Sequence, residues 1–91
     1  MLKMSKLTDY AMLVMSSLAD AYPHALTTRQ IAEKTHLSLP TVSKLLKMLT
    51  TQKLLISQRG IQGGYRLSKS PADISLNQIL AVMEGQFGLT A

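Results

Sequence analysis

Ninety-one residues, 46% of them apolar, support one small domain with its own core, although such a chain buries only about 60–65% of its unfolded surface. The sequence has no Cys, which excludes disulfides, thiolate metal sites and a cysteine nucleophile within these residues and fits a reducing compartment. A formal charge of +5 and a pI near 9.8 point toward a polyanionic partner rather than an acidic small molecule.

No export signal is expected at the start of these residues. Lys3 and Lys6 imitate a basic leader, but the apolar run Ala11 to Met15 is short and Asp9 interrupts its approach. No stretch reaches the roughly 18 apolar residues of a membrane span, so a soluble, cytoplasmic protein is expected. The first helix is expected over Lys6 to Ala21, ended by Tyr22-Pro23. It is apolar nearly all round, as a central core helix would be. The alternative is a face that docks on a partner chain or on a segment outside these residues.

The second helix is expected over Thr28 to Thr35. Thr27 is placed to cap it, Gln30 to reach back to the cap amide, and Leu26 to pack on Ile31. His36-Leu37-Ser38 then makes a short turn into a third helix, Leu39 to Thr51. There Ser38 is the cap and Pro40 sits in the first turn, where a missing amide costs little. Val42, Leu45, Leu46 and Leu49 form a buried stripe, and Thr41, Ser43, Lys44 and Lys47 occupy the opposite face. Helix, tight turn and helix of this polarity make a helix-turn-helix.

Leu54 to Gln58 reads as a strand, Arg59 to Gly64 as a turn and Tyr65 to Ser68 as a returning strand. Gly60, Gly63 and Gly64 suit a tip that needs positive φ or close backbone approach. A last helix, capped by Ser75, should run from Leu76 to Met83 or Glu84 and close the core over the hairpin. The predicted fold is mainly α with a small β-hairpin, a single winged helix-turn-helix domain over residues 1–91.

Charge sharpens the reading. From Lys34 to Ala72 there are seven basic residues (Lys34, Lys44, Lys47, Lys53, Arg59, Arg66 and Lys69) and no acid. Such one-sided charge repels itself on compaction and is characteristic of a surface matched to a polyanion. A solvated polar face would explain any one of these helices alone. Turn, wing and charge bias together favour double-stranded DNA. The candidate DNA contacts are Thr28 on the second helix; Ser38, Pro40, Thr41, Ser43, Lys44 and Lys47 on the third; and Arg59, Gly60, Gln62, Gly63, Gly64, Tyr65 and Arg66 in the wing.

Other chemistries find no support in the residues. The three glycines match neither G-x-G-x-x-G nor G-x-x-x-x-G-K-[ST]. His24 and His36 stand apart from each other and from spaced carboxylates, so no metal site is expected. No nucleophile, base and acid constellation marks an enzyme. A winged helix serving as a protein–protein adaptor is the alternative, disfavoured because docking-interface cores are depleted of Lys.

The segments Lys6 to Ala11 (KLTDYA), Ile31-Ala32 through Leu37-Ser38, Arg59 to Leu67 (RGIQGGYRL) and Ile74 to Glu84 (ISLNQILAVME) resemble the bacterial winged-helix regulators of the iron–sulfur regulator (IscR) type. The resemblance covers nearly the whole chain, and the wing motif is its most specific element. It implies a homodimeric transcription regulator of iron–sulfur cluster assembly genes, with Leu39–Thr51 as reading helix and Arg59–Leu67 as wing. The branch governing Suf-type assembly looks closest. Many members of this type hold an iron–sulfur cluster through three cysteines in a loop after the helix ending near Glu84, then dimerise through a long helix. Here the residues end at Ala91 without Cys. The expectation is therefore the N-terminal part of a longer regulator with no cofactor in these residues, a cluster being implied only where the chain continues with cysteines.

Overall fold

The computed structural model describes residues 6–61 and 63–87. The elements are α1 (Lys6–Ala21), α2 (Thr28–Thr35), α3 (Leu39–Thr51), β1 (Leu55–Gln58), β2 (Gly64–Leu67), a 3-10 turn at Pro71–Asp73 and α4 (Leu76–Phe87). Their starts follow from side-chain capping. The Thr27 amide donates to Gln30 Oε1 at 2.8 Å while the Gln30 amide donates to Thr27 Oγ1 at 3.1 Å. Ser75 and Gln78 repeat the box at 2.7 and 3.1 Å. Ser38 Oγ accepts from the Thr41 amide at 3.3 Å. Such caps satisfy amides that lack a partner in the first helical turn and contribute about 0.5–2 kcal/mol each.

Both joints around α3 use left-handed residues. His36, at φ 61°, ends α2 and turns the chain toward Ser38. Lys53, at φ 68°, ends α3: its amide bonds Thr50 O at 2.9 Å and the Leu54 amide bonds Leu49 O at 3.0 Å. This pair of bonds is a Schellman closure, and Leu54 and Leu49, the residues at its two ends, are both buried. Because the Leu54 amide closes the helix, β1 begins at Leu55, one residue later than the pattern suggests. The 3-10 turn, capped by Ser70, was not legible in the sequence.

The core is one cluster. Ala11, Val14, Leu18, Ile31, Val42, Leu45, Leu46 and Leu49 are fully buried, joined by Leu55, Leu67 and Met83. α1 packs against α2, α3, β2 and α4, and this central position accounts for its broad apolar surface. Leu13, 46% exposed, is the large apolar side chain of α1 left outside. α4 continues to Phe87, past the expected stop, and packs Ile79 and Met83 inward.

The hairpin pairs Leu55 with Leu67, Ile56 with Arg66, Ser57 with Tyr65 and Gln58 with Gly64, antiparallel. Leu26 bridges to Tyr65 through two backbone bonds of 2.8 Å, so the α1–α2 connection acts as a one-residue third strand. Gly64 makes this possible: its φ is +133°, and a Cβ there would overlap the carbonyl oxygen of Leu26. Gly60, at φ +103°, turns the tip, where the Gly63 amide bonds Gly60 O at 2.9 Å. The architecture is the expected winged helix-turn-helix.

Candidate nucleic-acid interface

Helical periodicity separates a buried stripe of α3 from a neighbouring polar one. Val42, Leu45, Leu46 and Leu49 face the core. Ser43, Lys47 and Thr50 follow at steps of four and three and so share a neighbouring face. On the hairpin, side chains alternate, so Ser57 and Tyr65 lie on the same side as the buried pair Leu55 and Leu67, one step further out. That side is turned toward α3. The two elements enclose a cleft of about 370 Å³ lined by Ser43, Lys47, Thr50, Thr51, Ser57 and Tyr65. Lys47 is the single charged group in that lining, and no acid borders it. A second, adjoining depression of about 300 Å³ is formed by Lys44, Lys47, Met48 and Thr51, so Lys47 stands on the ridge between them.

The start of α3 projects outward. Ser38, Leu39, Pro40, Ser43 and Lys44 are exposed, and Thr41 is half-buried. The Ser38 and Thr41 hydroxyls lie 2.9 Å apart in a hydrogen bond, which links the cap to the next side chain on the outer face. Arg59, Gly60 and Ile61 are exposed at the wing tip, Ile61 completely so, while Gly63, Gly64 and Tyr65 are half-buried. Thr28 is half-buried at the start of α2. Gln62 lies outside the described residues.

Arg66 differs from the other wing candidates. Its register places it beside Ile56 on the opposite side of the ribbon from Tyr65. Its Nε donates to Gln58 Oε1 at 2.6 Å and its Nη1 donates to Leu67 O at 3.1 Å. Two of its donors thus brace the hairpin. The sequence reading did not single out Ser57, Thr50 or Thr51, which complete the cleft. The signal was present: with the hairpin register fixed, Ser57 falls opposite Tyr65.

Among the described residues no ion pair neutralises the cations of the Lys34–Ala72 window. No group of three or more His, Cys, Asp or Glu is placed to hold a metal, again among the described residues. No helix among them is long and apolar enough to cross a membrane.

Comparison with known proteins agrees with this geometry. The sequence profile of the Rrf2 family, described as iron-dependent transcriptional regulators, matches residues 4–91. The HTH-type transcriptional regulator NsrR of Bacillus subtilis is 30% identical over 89 residues, covering 97% of this chain and 61% of that protein. Among solved structures, IscR of T. potens superposes with a TM-score of 0.86 at 36% identity, over 93% of this chain and 63% of the other. CymR (YrzC), the global cysteine regulator of B. subtilis, gives 0.87 at 32% identity, over 93% and 67%. The chain spans between 40% and 61% of the lengths of the curated relatives it matches.

Proposed function

We propose that this chain, which belongs to the Rrf2 family of transcriptional regulators, is the DNA-reading domain of a longer bacterial regulator that binds double-stranded DNA. The observation that carries this reading is the shared cleft: Lys47 of α3 faces Ser57 and Tyr65 of the wing across a surface with no acid. A major groove about 12 Å wide accepts one helix, whose first residues meet base edges while flanking cations hold phosphates. Thr41, Ser43 and Lys44 at the exposed start of α3 are placed for the groove, and Lys47 for the backbone. Arg59 at the wing tip reaches the adjacent minor groove or its phosphates.

In the intact protein this domain acts in the cytoplasm as a homodimer on a pseudo-palindromic site, with half-sites about one helical turn apart. Its proposed targets are genes of iron–sulfur cluster assembly, a reading supported by the resemblance of the wing motif Arg59–Leu67 to the iron–sulfur regulator type and compatible with the family's description as iron-dependent regulators. The residues here do not fit an iron–sulfur cluster, because the sequence offers no thiolate. Any cluster would be held by cysteines beyond Ala91, and no step of DNA binding is routed through one.

Fluorescence anisotropy with a labelled duplex at several salt concentrations tests the reading. If about six phosphates are neutralised per chain, log affinity falls against log salt with a slope of about −5. A flat response would instead support a protein–protein adaptor.

A further inference from the structure

The wing tip carries an apolar side chain that the core does not use. Ile61 is 102% exposed, more than any other large apolar residue among the described residues. A single exposed isoleucine means little by itself, so its setting decides what it is for. Ile61 is the second residue of a four-residue turn, closed by the Gly63 amide on Gly60 O at 2.9 Å. Gly60 holds φ +103°, and a Cβ on Gly63 would lie 2.7 Å from Gly60 O and 2.8 Å from Gln58 O, so the turn closes this tightly only with glycine there. Glycines before and after the isoleucine keep the tip slender, and a minor groove about 6 Å wide admits only a slender element. Arg59, exposed just before the turn, supplies the positive charge that such a groove attracts.

We propose that Ile61 is an apolar wedge, which enters between two stacked base pairs from the minor groove, opens that step and bends the duplex toward the major groove. The inference rests on the DNA-binding reading above and adds to it a deformation that groove and phosphate contacts do not require. Aliphatic wedges unstack one step, and the contacts that the bend permits offset the cost. The balance of free energies decides where the wedge acts. Burying one isoleucine recovers about as much as opening a flexible pyrimidine–purine step costs, and less than a stiff step costs. Ile61 therefore favours TA or CA steps at a position where no side chain reads a base edge by hydrogen bond. It determines specificity through the stiffness of the duplex.

The test uses duplexes selected for tight binding from a random pool, with the fluorescent adenine analogue 2-aminopurine scanned along the bound site. Ile61→Ala, Ile61→Gln and Ile61→Leu are compared with the wild type. All three should melt at the wild-type temperature, because Ile61 buries no surface in the free domain. Wild-type protein should raise 2-aminopurine emission about threefold or more at one pyrimidine–purine step, and energy transfer between dyes on the duplex ends should report a bend of at least about 20°. Ile61→Ala and Ile61→Gln should lose both signals and bind about tenfold more weakly. Their salt slope should stay at the wild-type value, because no charge is removed. Ile61→Leu should keep both signals, since leucine serves equally as a wedge. Replacing the opened step by a stiff A-tract should weaken wild-type binding about tenfold and leave Ile61→Ala nearly unaffected. Tight wild-type binding with no change of emission at any step, or with a change that survives in Ile61→Ala, overturns the wedge alone. A smaller sedimenting mass of free Ile61→Ala would assign the side chain to a protein contact and also overturns it. A wild-type chain without salt-dependent duplex binding overturns both the wedge and the reading beneath it.

Discussion

At the residue scale, Gly64 connects the wing to the body of the domain. Its positive φ and its contact with Leu26 O leave no room for a side chain. Gly64→Ala must either strain the backbone, at about 1–3 kcal/mol, or break the Leu26–Tyr65 bridge. A fall in Tm of about 10 °C or more is expected by circular dichroism, with loss of duplex affinity as Tyr65 leaves the cleft. Lys53 makes the opposite prediction. A non-glycine residue in the left-handed region costs about 1–2 kcal/mol, and the Schellman closure needs only backbone at that position. Lys53→Gly should raise stability by about 1 kcal/mol, seen as a Tm higher by about 4–8 °C. An unchanged or lower Tm would mean that the lysine side chain contributes packing that offsets its strained backbone.

At the element scale, stability and the proposed DNA contact separate along the chain. Ser75→Ala removes one half of the capping box of α4 and should cost about 1 kcal/mol in denaturant melts. Duplex affinity should not change, because Ser75 lies outside the surface that α3 and the hairpin share. The same capping grammar explains why the helices were legible from the sequence. Thr27–Gln30, Ser38 and Ser75–Gln78 are local choices that decide helix starts whatever the tertiary context. α1 was equally readable, because Pro23 and a long apolar stretch set its limits. The hairpin was legible in kind but shifted by one residue. Its ends depend on where the Leu54 amide bonds and on the Leu26–Tyr65 bridge, contacts between segments distant in sequence. The placement of the candidate side chains followed the same division. That Lys44 and Lys47 lie off the core face of α3 was evident from helical periodicity, whereas the position of Ser57 beside the cleft and the bracing of Arg66 by Gln58 depend on strand register, which composition alone does not determine.

At the scale of the whole molecule, the arrangement has two sides. α1 and α4 build the core from behind, while α3 and the wing present an acid-free surface carrying Lys44, Lys47 and the tip residue Arg59. A charge surplus of +5 in a domain this small opposes compaction slightly and is offset when a polyanion binds. The most direct test of that division is an amide chemical-shift titration of the isotope-labelled protein with a duplex oligonucleotide. The largest shifts should map to Ser38–Lys47 at the start of α3 and to Ser57–Tyr65 across the wing, with α1 little perturbed. Shifts concentrated instead around exposed Leu13 on α1, with α3 and the wing unmoved, would contradict the account.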